Sequence, residues 1–280
     1  MSGFDPNWLH LREGVDHRSR NRELLAELAG VFAGRPAITV VDLGCGLGSN
    51  LRGLYEHLPE RQHWRLVDHD AALLAAAREE LSGWADACMR NGDDITIEKN
   101  GRTIHVTFVQ ADLARDIDGV LEPAPDLVTA AALFDLCSRE WIGRFAEAVA
   151  ARNVVFYTSL TYDGREIWQP AHPADSPMLA AFHADQITDK GFGRSAGPEA
   201  PQALVVAFKE QGYATTIADS FWRLGEQDAP LIHALADGIA SAVTEGEQLD
   251  AEAIASWRAA RHAPGVTCMI GHRDCLCLPA

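Results

Sequence analysis

Basic residues are scarce in this chain of 280 residues. Lysine and arginine total 24 against 40 aspartates and glutamates, which gives a formal net charge of −16 at pH 7. Proteins that bind nucleic acid usually carry a basic surface, so this balance argues against DNA or RNA as a partner. Hydrophobic residues make up 47% of the chain and charged residues 23%, as in an ordinary globular protein.

Long apolar runs and paired cysteines are also missing. No stretch approaches the ~20 apolar residues that cross a bilayer, and residues 1–7 lack the basic and apolar regions of a signal peptide. The six cysteines are scattered and form no disulfide framework, so free thiols are expected. We therefore expect a cytoplasmic protein that has no membrane partner.

Strand and helix patterns alternate along the chain. Helical apolar stripes separate most of the strand patterns, for example the leucines of residues 47–58. The strand patterns lie at residues 38–41, 64–67, 107–110, 126–131, 153–157, 215–218 and 266–278. This alternation predicts an α/β fold, a Rossmann-like three-layer sandwich around a mostly parallel sheet.

Three segments are expected to be additions to this single domain. Residues 1–36 are predicted to form an N-terminal helical lid, with helical structure from about residue 8 to residue 32. Residues 158–200 contain prolines and turn residues and are longer than an ordinary loop, so we predict an irregular substrate-side insertion with a short helix near residues 178–182. Residues 225–263 are predicted to add helices whose apolar stripe forms core, a cap or the face of a homodimer.

Two short segments have competing interpretations. The charged residues 12–20 are either a solvated helix face or part of a lid that places Arg12 or Arg20 near a carboxylate. The Asn-Gly pair at positions 100–101, flanked by alternating residues, predicts a hairpin over residues 95–106 that runs into the third core strand. We assign no function to this hairpin.

The glycine turn, residues 44–48, joins the first strand to the next helix. Gly44, Gly46 and Gly48 let the backbone approach a ligand without interference from Cβ atoms. The G-x-G-x-x-G pattern of dinucleotide folds is matched poorly, because Ser49 occupies the third place. Asp42, two residues before the first glycine, suits a ligand with a positive end, such as the ammonium group of an amino acid.

Two further acids follow the next core strands. Asp68 ends the second strand, where a carboxylate can accept hydrogen bonds from both hydroxyls of a ribose. Asp112 follows the third strand, where it can accept from the amino group of adenine. Each acid alone is commonly a helix cap or loop residue, but three acids at successive strand ends predict a site for one nucleoside with a cationic tail.

These motifs resemble those of the class I S-adenosylmethionine-dependent methyltransferases. The resemblance rests on residues 41–48, 67–70 and 110–113 and covers about half of the chain, residues 38–160. The family implies a seven-stranded sheet whose last strand is antiparallel and inserted between the fifth and sixth. Residues 266–278 fit that last strand.

The resemblance also implies the cofactor, S-adenosyl-L-methionine, and the residues that bind it. The glycines of the turn would lie behind the methionine part, and Asp42 would lie near its amino group. Asp68 would hold the ribose, and Asp112 and Leu113 would frame the adenine. The implied activity is methyl transfer to a small molecule. We expect the acceptor atom to be oxygen or nitrogen in preference to carbon.

The acceptor site is expected at the ends of the fourth and fifth strands and in the segment after them. The catalytic candidates are Asp135, Tyr162 and His183, with His183 as the base if the acceptor must lose a proton. The other candidates in these segments are Phe134, Asp163, His172, Asp189, Lys190, Phe221 and Trp222. Each histidine and turn aspartate also has an ordinary structural interpretation.

The sequence also allows two other functions and suggests one metal site. The chain could bind S-adenosylmethionine as a sensor or accessory module without transferring its methyl group, or it could be an NAD(P)-dependent oxidoreductase. His272, Cys275 and Cys277 superficially suggest a metal site. No second cysteine pair completes a tetrahedral set, so we predict structural packing and no metal.

Overall fold

The computed structural model describes residues 5–246 and 249–280. Its strands form one mixed sheet in the order β3-β4-β5-β2-β1-β6-β7-β10-β8, with β9 paired to β10. The strands are β1 (Ala37–Leu43), β2 (Arg61–Asp68), β3 (Ala87–Asn91), β4 (Asp94–Lys99), β5 (Arg102–Gln110), β6 (Leu127–Ala131), β7 (Val155–Gln169), β8 (Ala214–Asp219), β9 (Trp222–Leu224) and β10 (Thr267–Leu278).

Seven of these strands have the topology that the family resemblance implied. Strands β5, β2, β1, β6 and β7 are parallel neighbours. The last strand, β10, lies between β7 and β8 and is antiparallel to both. The predicted Rossmann-like sheet is confirmed, although it has ten strands where seven were expected.

The three additional strands lie outside this seven-stranded set. The predicted hairpin is present as β4 and β5, and its turn residues Asn100 and Gly101 have φ angles of 47° and 77°. Such positive φ angles are those of the tight turns that Asn-Gly favours. Strand β3, which the sequence analysis missed, pairs with β4, and β9 pairs with the first part of β10.

Helices cover both faces of the sheet. Adjacent residues of β1 point to opposite faces, so that Val40 packs in one hydrophobic cluster with α2, α3 and α4, and Val41 packs in another with α6 and α8. The helices are α1 (Pro6–Ser19), α2 (Arg22–Val31), α3 (Ser49–Leu54), α4 (Ala71–Trp84), α5 (Ile117–Val120), α6 (Arg139–Ala151), α7 (Asp175–Gln186), α8 (Ala200–Glu210), α9 (Ala229–Glu245) and α10 (Ala251–Arg261).

A third hydrophobic cluster joins the segments that were predicted as additions. Its buried residues come from α1, α7, α9 and α10 and from the outer parts of β7 and β10. Trp257 of α10 and Trp222 of β9 are nearly inaccessible within it. These segments therefore share one hydrophobic core, which lies at the carboxyl ends of the parallel strands.

The structure adds detail to one expectation about local structure and contradicts another. The helical stretch of residues 8–32 is divided into two helices, because Asn21 caps α2 by accepting from the N–H groups of Glu23 and Leu24. The segment after residue 157 is not irregular at first, since β7 continues to Gln169 through its pairing with β10. The short helix expected near residues 178–182 is the longer α7. In the part of the chain that is described, no helix is long and apolar enough to span a bilayer.

Candidate functional site

A cavity of about 370 Å³ lies at the carboxyl ends of the strands, with α1 forming part of its wall. We call it the main cavity. Its lining combines the glycine turn, the ends of β2, β5 and β6, and a loop after α7. The residues that line it are Leu9, Arg12, Asp16, Arg20, Gly44, Cys45, Gly46, Leu47, Ser49, Asn50, Asp68, His69, Leu73, Ala111, Asp112, Leu113, Ala131, Ala132, Leu133, Leu136, Gly191 and Phe192.

The glycine turn adopts a conformation that favours glycine. Gly44 and Gly46 have φ angles of 65° and 52°, in the left-handed region that other residues rarely adopt. A Cβ on Gly46 would lie 3.3 Å from Leu9 of α1, and one on Gly44 would lie 3.3 Å from Leu133. The two glycines therefore keep this part of the cavity wall free of side-chain atoms.

Asp68 lies beside the turn with its carboxylate on the cavity wall. It accepts hydrogen bonds from the N–H of Gly46 at 3.0 Å and from the N–H of Asp70 at 3.0 Å. Its side chain is 7% exposed. Asp70, and not Asp68, caps α4 by accepting from the N–H groups of Ala72 and Leu73. The helix-cap interpretation of Asp68 is therefore wrong, and the carboxylate retains lone pairs for a ligand.

Asp112 and Leu113 also line the main cavity, after β5. Asp112 is half-exposed, accepts from the N–H of Ala114 and lies 3.2 Å from Arg115. Leu113 is buried, and its carbonyl oxygen accepts from the indole N–H of Trp141. The loop after β5 is thus held in place by the core, and it presents one acid and one apolar side chain to the cavity.

Two of the predicted cofactor residues do not reach the cavity wall. Asp42 is fully buried and accepts from Nδ2 of Asn50 at 2.7 Å, so that Asn50 stands on the wall in its place. Burial raises the pKa of Asp42 to about 7, and the Asn50 hydrogen bond opposes this. Gly48 has a φ of 76° and lies against Leu81 of α4, so its position serves helix packing.

The N-terminal helix α1 contributes two arginines and an acid to the cavity. Arg12 forms a hydrogen-bonded ion pair with Asp16 at 2.8 Å, and its guanidinium lies over the ring of Trp222. Asp16 also accepts from the indole N–H of Trp222 at 2.9 Å. Arg20, at the end of α1, is only 4% exposed. The solvated-face interpretation of residues 12–20 is therefore wrong for Arg20, which is buried.

Two of the three predicted catalytic residues, Tyr162 and His183, are within hydrogen-bond distance of each other, and none of the three lines the main cavity. Burial raises the pKa of Asp135 to about 6, and its Oδ1 atom has no hydrogen-bond partner in the described part of the chain. The Tyr162 hydroxyl donates to Glu166 at 2.8 Å and lies 3.1 Å from Nε2 of His183. Burial lowers the pKa of His183, which lines a separate groove with Phe192 and residues of α6. Their catalytic role stays a prediction.

The remaining acceptor candidates have structural partners. Phe134 is fully buried in the core, Asp163 pairs with Arg165 and Arg273, and Lys190 pairs with Asp185 at 2.9 Å. Asp189 accepts from two backbone N–H groups in its own turn.

His172 and Phe221 are likewise engaged in local contacts, and Trp222 lies beside Arg12 of α1. At the C-terminal strand the sulfurs of Cys275 and Cys277 are 3.6 Å apart. Within residues 5–246 and 249–280, no group of three or more metal-ligating side chains is arranged to hold a metal ion.

The sequence analysis did not identify several residues that line the main cavity. Asn50 had a usable signal, since it is a polar residue in the first turn of an apolar helix, directly after the glycine turn. Ala132 has a φ of 51°, which no sequence pattern indicates. Phe192 lies in the segment that was predicted to reach the acceptor site, but nothing in its neighbourhood distinguishes it from the other residues of that segment.

Comparison with known proteins gives one similar sequence among curated proteins. No family model matches the chain. Over 147 residues the chain is 33% identical to a trans-aconitate 2-methyltransferase from Acidovorax sp. (strain JS42). The match covers 52% of this chain and 43% of that protein, so it spans less than half the length of the curated relative.

Solved structures resemble the whole chain. A cyclopropane-fatty-acyl-phospholipid synthase-like protein from Lactobacillus casei ATCC 334 superposes with a TM-score of 0.55 at 15% identity, over 97% of this chain and 94% of that one. An S-adenosylmethionine-dependent methyltransferase from Geobacter sulfurreducens gives a TM-score of 0.46 at 16% identity, over 99% of both chains. The first of these matches, together with the strand order, establishes the fold. The resemblance found in the sequence motifs is confirmed: this chain has the fold of the class I S-adenosylmethionine-dependent methyltransferases.

Proposed function

We propose that the chain transfers a methyl group from S-adenosyl-L-methionine to an oxygen or nitrogen atom of a small molecule. The observation that carries this proposal is the position of Asp68 on the wall of the main cavity, hydrogen-bonded to the glycine turn. Asp112 lies on the same wall, at the end of the neighbouring strand β5. The two carboxylates and the exposed backbone between them match the needs of an adenosine ligand.

The residues of the cavity fit this cofactor in three respects. The wall at Gly44 and Gly46 is bare backbone, which suits close approach of a ligand. Asp68 would hold the ribose, and Asp112 with Leu113 would frame the adenine. Oδ1 of Asn50 is buried and has no hydrogen-bond partner in the described part of the chain, so it can accept from the amino group of the methionine part.

The chain itself supplies orientation and a dry environment for the reaction. When bound, the cofactor supplies a methyl group on a sulfonium, a strong electrophile that transfers by in-line displacement. The apolar side chains Leu9, Leu133 and Phe192 would exclude water from that side of the cavity. Much of the acceleration in such a reaction comes from holding acceptor and methyl group close together. The name of the curated relative, a methyltransferase of trans-aconitate, supports a small-molecule acceptor.

The test is a comparison of ligand binding by the wild type and Asp68→Ala. We expect the wild type to bind S-adenosylmethionine more tightly than NAD or NADP. Asp68→Ala should weaken binding of S-adenosylmethionine by about 1–3 kcal/mol, because the ribose hydroxyls lose a charged acceptor. Asp70→Ala is the matched control, since it removes the cap of α4 two residues away without touching the cavity wall.

Three outcomes would contradict the proposal. Stronger binding of NAD or NADP would favour an oxidoreductase. Unchanged affinity in Asp68→Ala would remove the assignment of the ribose site. Binding of S-adenosylmethionine without formation of S-adenosylhomocysteine in the presence of a cell extract would favour a sensor or accessory protein.

A further inference from the structure

Arg20 carries a buried positive charge that is incompletely satisfied. The side chain is 4% exposed, and its Nε and Nη1 atoms have no hydrogen-bond partner among residues 5–246 and 249–280. A guanidinium that is removed from water without acceptors is unfavourable, so a protein retains one mainly where something else supplies the acceptor. Arg12 differs from Arg20 because it donates hydrogen bonds to Asp16. The buried carboxylates of Asp42 and Asp274 act on Arg20 through charge and accept none of its Nε or Nη1 hydrogen bonds.

The position of Arg20 is fixed by its surroundings. The next residue, Asn21, donates its backbone N–H to the buried carboxylate of Asp274 at 2.8 Å. The guanidinium lies against α3 at Gly53, where a Cβ would be 2.9 Å from its Cζ and Nη2 atoms. The arginine is therefore held in one place by the backbone on one side and by a glycine of α3 on the other.

Arg20 lines the main cavity, and so does Asn50, which belongs to α3 like Gly53. The Oδ1 atom of Asn50 is also buried and has no hydrogen-bond partner in the described part of the chain. The cavity wall thus includes a planar cationic donor, Arg20, and a neutral acceptor, Asn50. The guanidinium fork is suited to a carboxylate, which can accept two of its N–H bonds at once.

We propose that Arg20 binds a carboxylate group of a ligand in the main cavity. This inference rests on the proposed function, and two groups could supply the carboxylate. One is the amino-acid end of S-adenosylmethionine, and the other is a carboxylate on the methyl acceptor. Both are small-molecule carboxylates that enter the same cavity, and the experiment separates them.

The first arm measures the affinities of S-adenosylhomocysteine and 5′-methylthioadenosine by calorimetry. The second of these ligands keeps the adenosine and lacks the amino-acid part. If Arg20 binds the cofactor carboxylate, Arg20→Met should lower the affinity for S-adenosylhomocysteine by about 10- to 100-fold. The affinity for methylthioadenosine should change by less than about twofold. Arg20→Lys, which keeps the charge but loses the fork, should fall between. Arg22→Met, an exposed arginine at the start of α2, is the matched control.

The second arm titrates trans-aconitate into protein saturated with S-adenosylhomocysteine. If Arg20 binds the acceptor, Arg20→Met should lose this binding and keep its affinity for S-adenosylhomocysteine. Arg20 also acts through its charge on the buried carboxylates of Asp42 and Asp274, whose pKa values it lowers. Arg20→Met is therefore expected to lose some stability in either case, and the ligand affinities decide between the two sources of the carboxylate.

The inference is overturned if the wild type binds S-adenosylhomocysteine and Arg20→Met binds both probes as the wild type does. A clear loss of stability in Arg20→Met that is restored in Arg20→Lys, with ligand affinities unchanged in Arg20→Lys, also overturns it. Failure of the proposed function looks different, since the wild type itself would then not bind S-adenosylhomocysteine.

Discussion

At the scale of single residues, the glycine turn contains positions that face the main cavity and one that packs against a helix. Gly46 has a φ of 52°, faces the cavity and lies close to Leu9. Gly46→Ala should lower the free energy of unfolding by about 1–2 kcal/mol, because alanine is strained in the left-handed region. The added methyl group should also weaken binding of S-adenosylhomocysteine. Both quantities are measured on the same protein, by urea unfolding and by calorimetry.

The control for this variant is a glycine without either constraint. Gly143 lies within α6, and a Cβ there would meet nothing within 4 Å. Gly143→Ala should raise the free energy of unfolding by about 0.5–1 kcal/mol, because alanine loses less conformational entropy in a helix. Equal stabilities of the two variants would contradict the conformational role assigned to Gly46.

The positions of the predicted residues could be anticipated where neighbours in sequence determine them, while their roles stay predictions. Asp68, Asp112 and the first two glycines of the turn reach the cavity because strand ends and tight turns are local features. Asp42 was expected to face the ligand, and it faces Asn50 instead. That outcome depends on which face of the sheet α3 covers, and the sequence around Asp42 does not specify it.

At the scale of elements, one buried carboxylate joins the N-terminal segment to the sheet. Asp274 of β10 accepts from the N–H of Asn21 at 2.8 Å, from the N–H of Leu160 at 2.9 Å and from the hydroxyl of Tyr157 at 3.1 Å. These donors belong to the start of α2 and to β7. The contact thus determines where α1 ends and where Arg20 is placed.

Asp274→Asn should lower the free energy of unfolding by about 2–4 kcal/mol. An amide offers one acceptor oxygen where the carboxylate offers two, so at least one buried donor is left facing an NH₂ group. Urea unfolding measures the loss, and hydrogen exchange at the Asn21 amide reports whether the connection to α2 is broken. Asp118→Asn, at a carboxylate that is 75% exposed and pairs with Arg152, should change stability by less than about 0.5 kcal/mol. An Asp274 variant as stable as this control would contradict the argument.

At the scale of the whole molecule, the layer order and strand topology followed from the alternation of patterns and from the family resemblance. The outer half of β7 did not, because residues 158–169 become a strand only through pairing with β10, more than 90 residues away in sequence. The third hydrophobic cluster was missed for the same reason. Its members come from both ends of the chain, and only the fold brings Val15 near Trp222 and Trp257.

Buried acids should also make the stability of the whole molecule depend on pH. Burial raises the pKa of four carboxyl groups, those of Asp42, Asp135, Glu166 and Asp274. A raised pKa in the folded state stabilises the protein fully below the unfolded value, near 4, and the contribution is lost as the pH rises through the folded value. For Asp42 that folded value is about 7, so its loss falls between about pH 4 and pH 7.

Between pH 5 and pH 8 the wild type should therefore lose about 2–3 kcal/mol of unfolding free energy relative to Asp42→Asn. Asp42→Asn keeps an oxygen for the Nδ2 of Asn50 but cannot ionise. Buried His272 acts in the opposite direction. Its pKa is lowered to about 3 by burial, so its contribution is present above about pH 6.5 and is lost as the pH falls toward 3. Urea unfolding of both proteins from pH 4 to pH 8 tests the argument, and parallel curves for wild type and Asp42→Asn would contradict it.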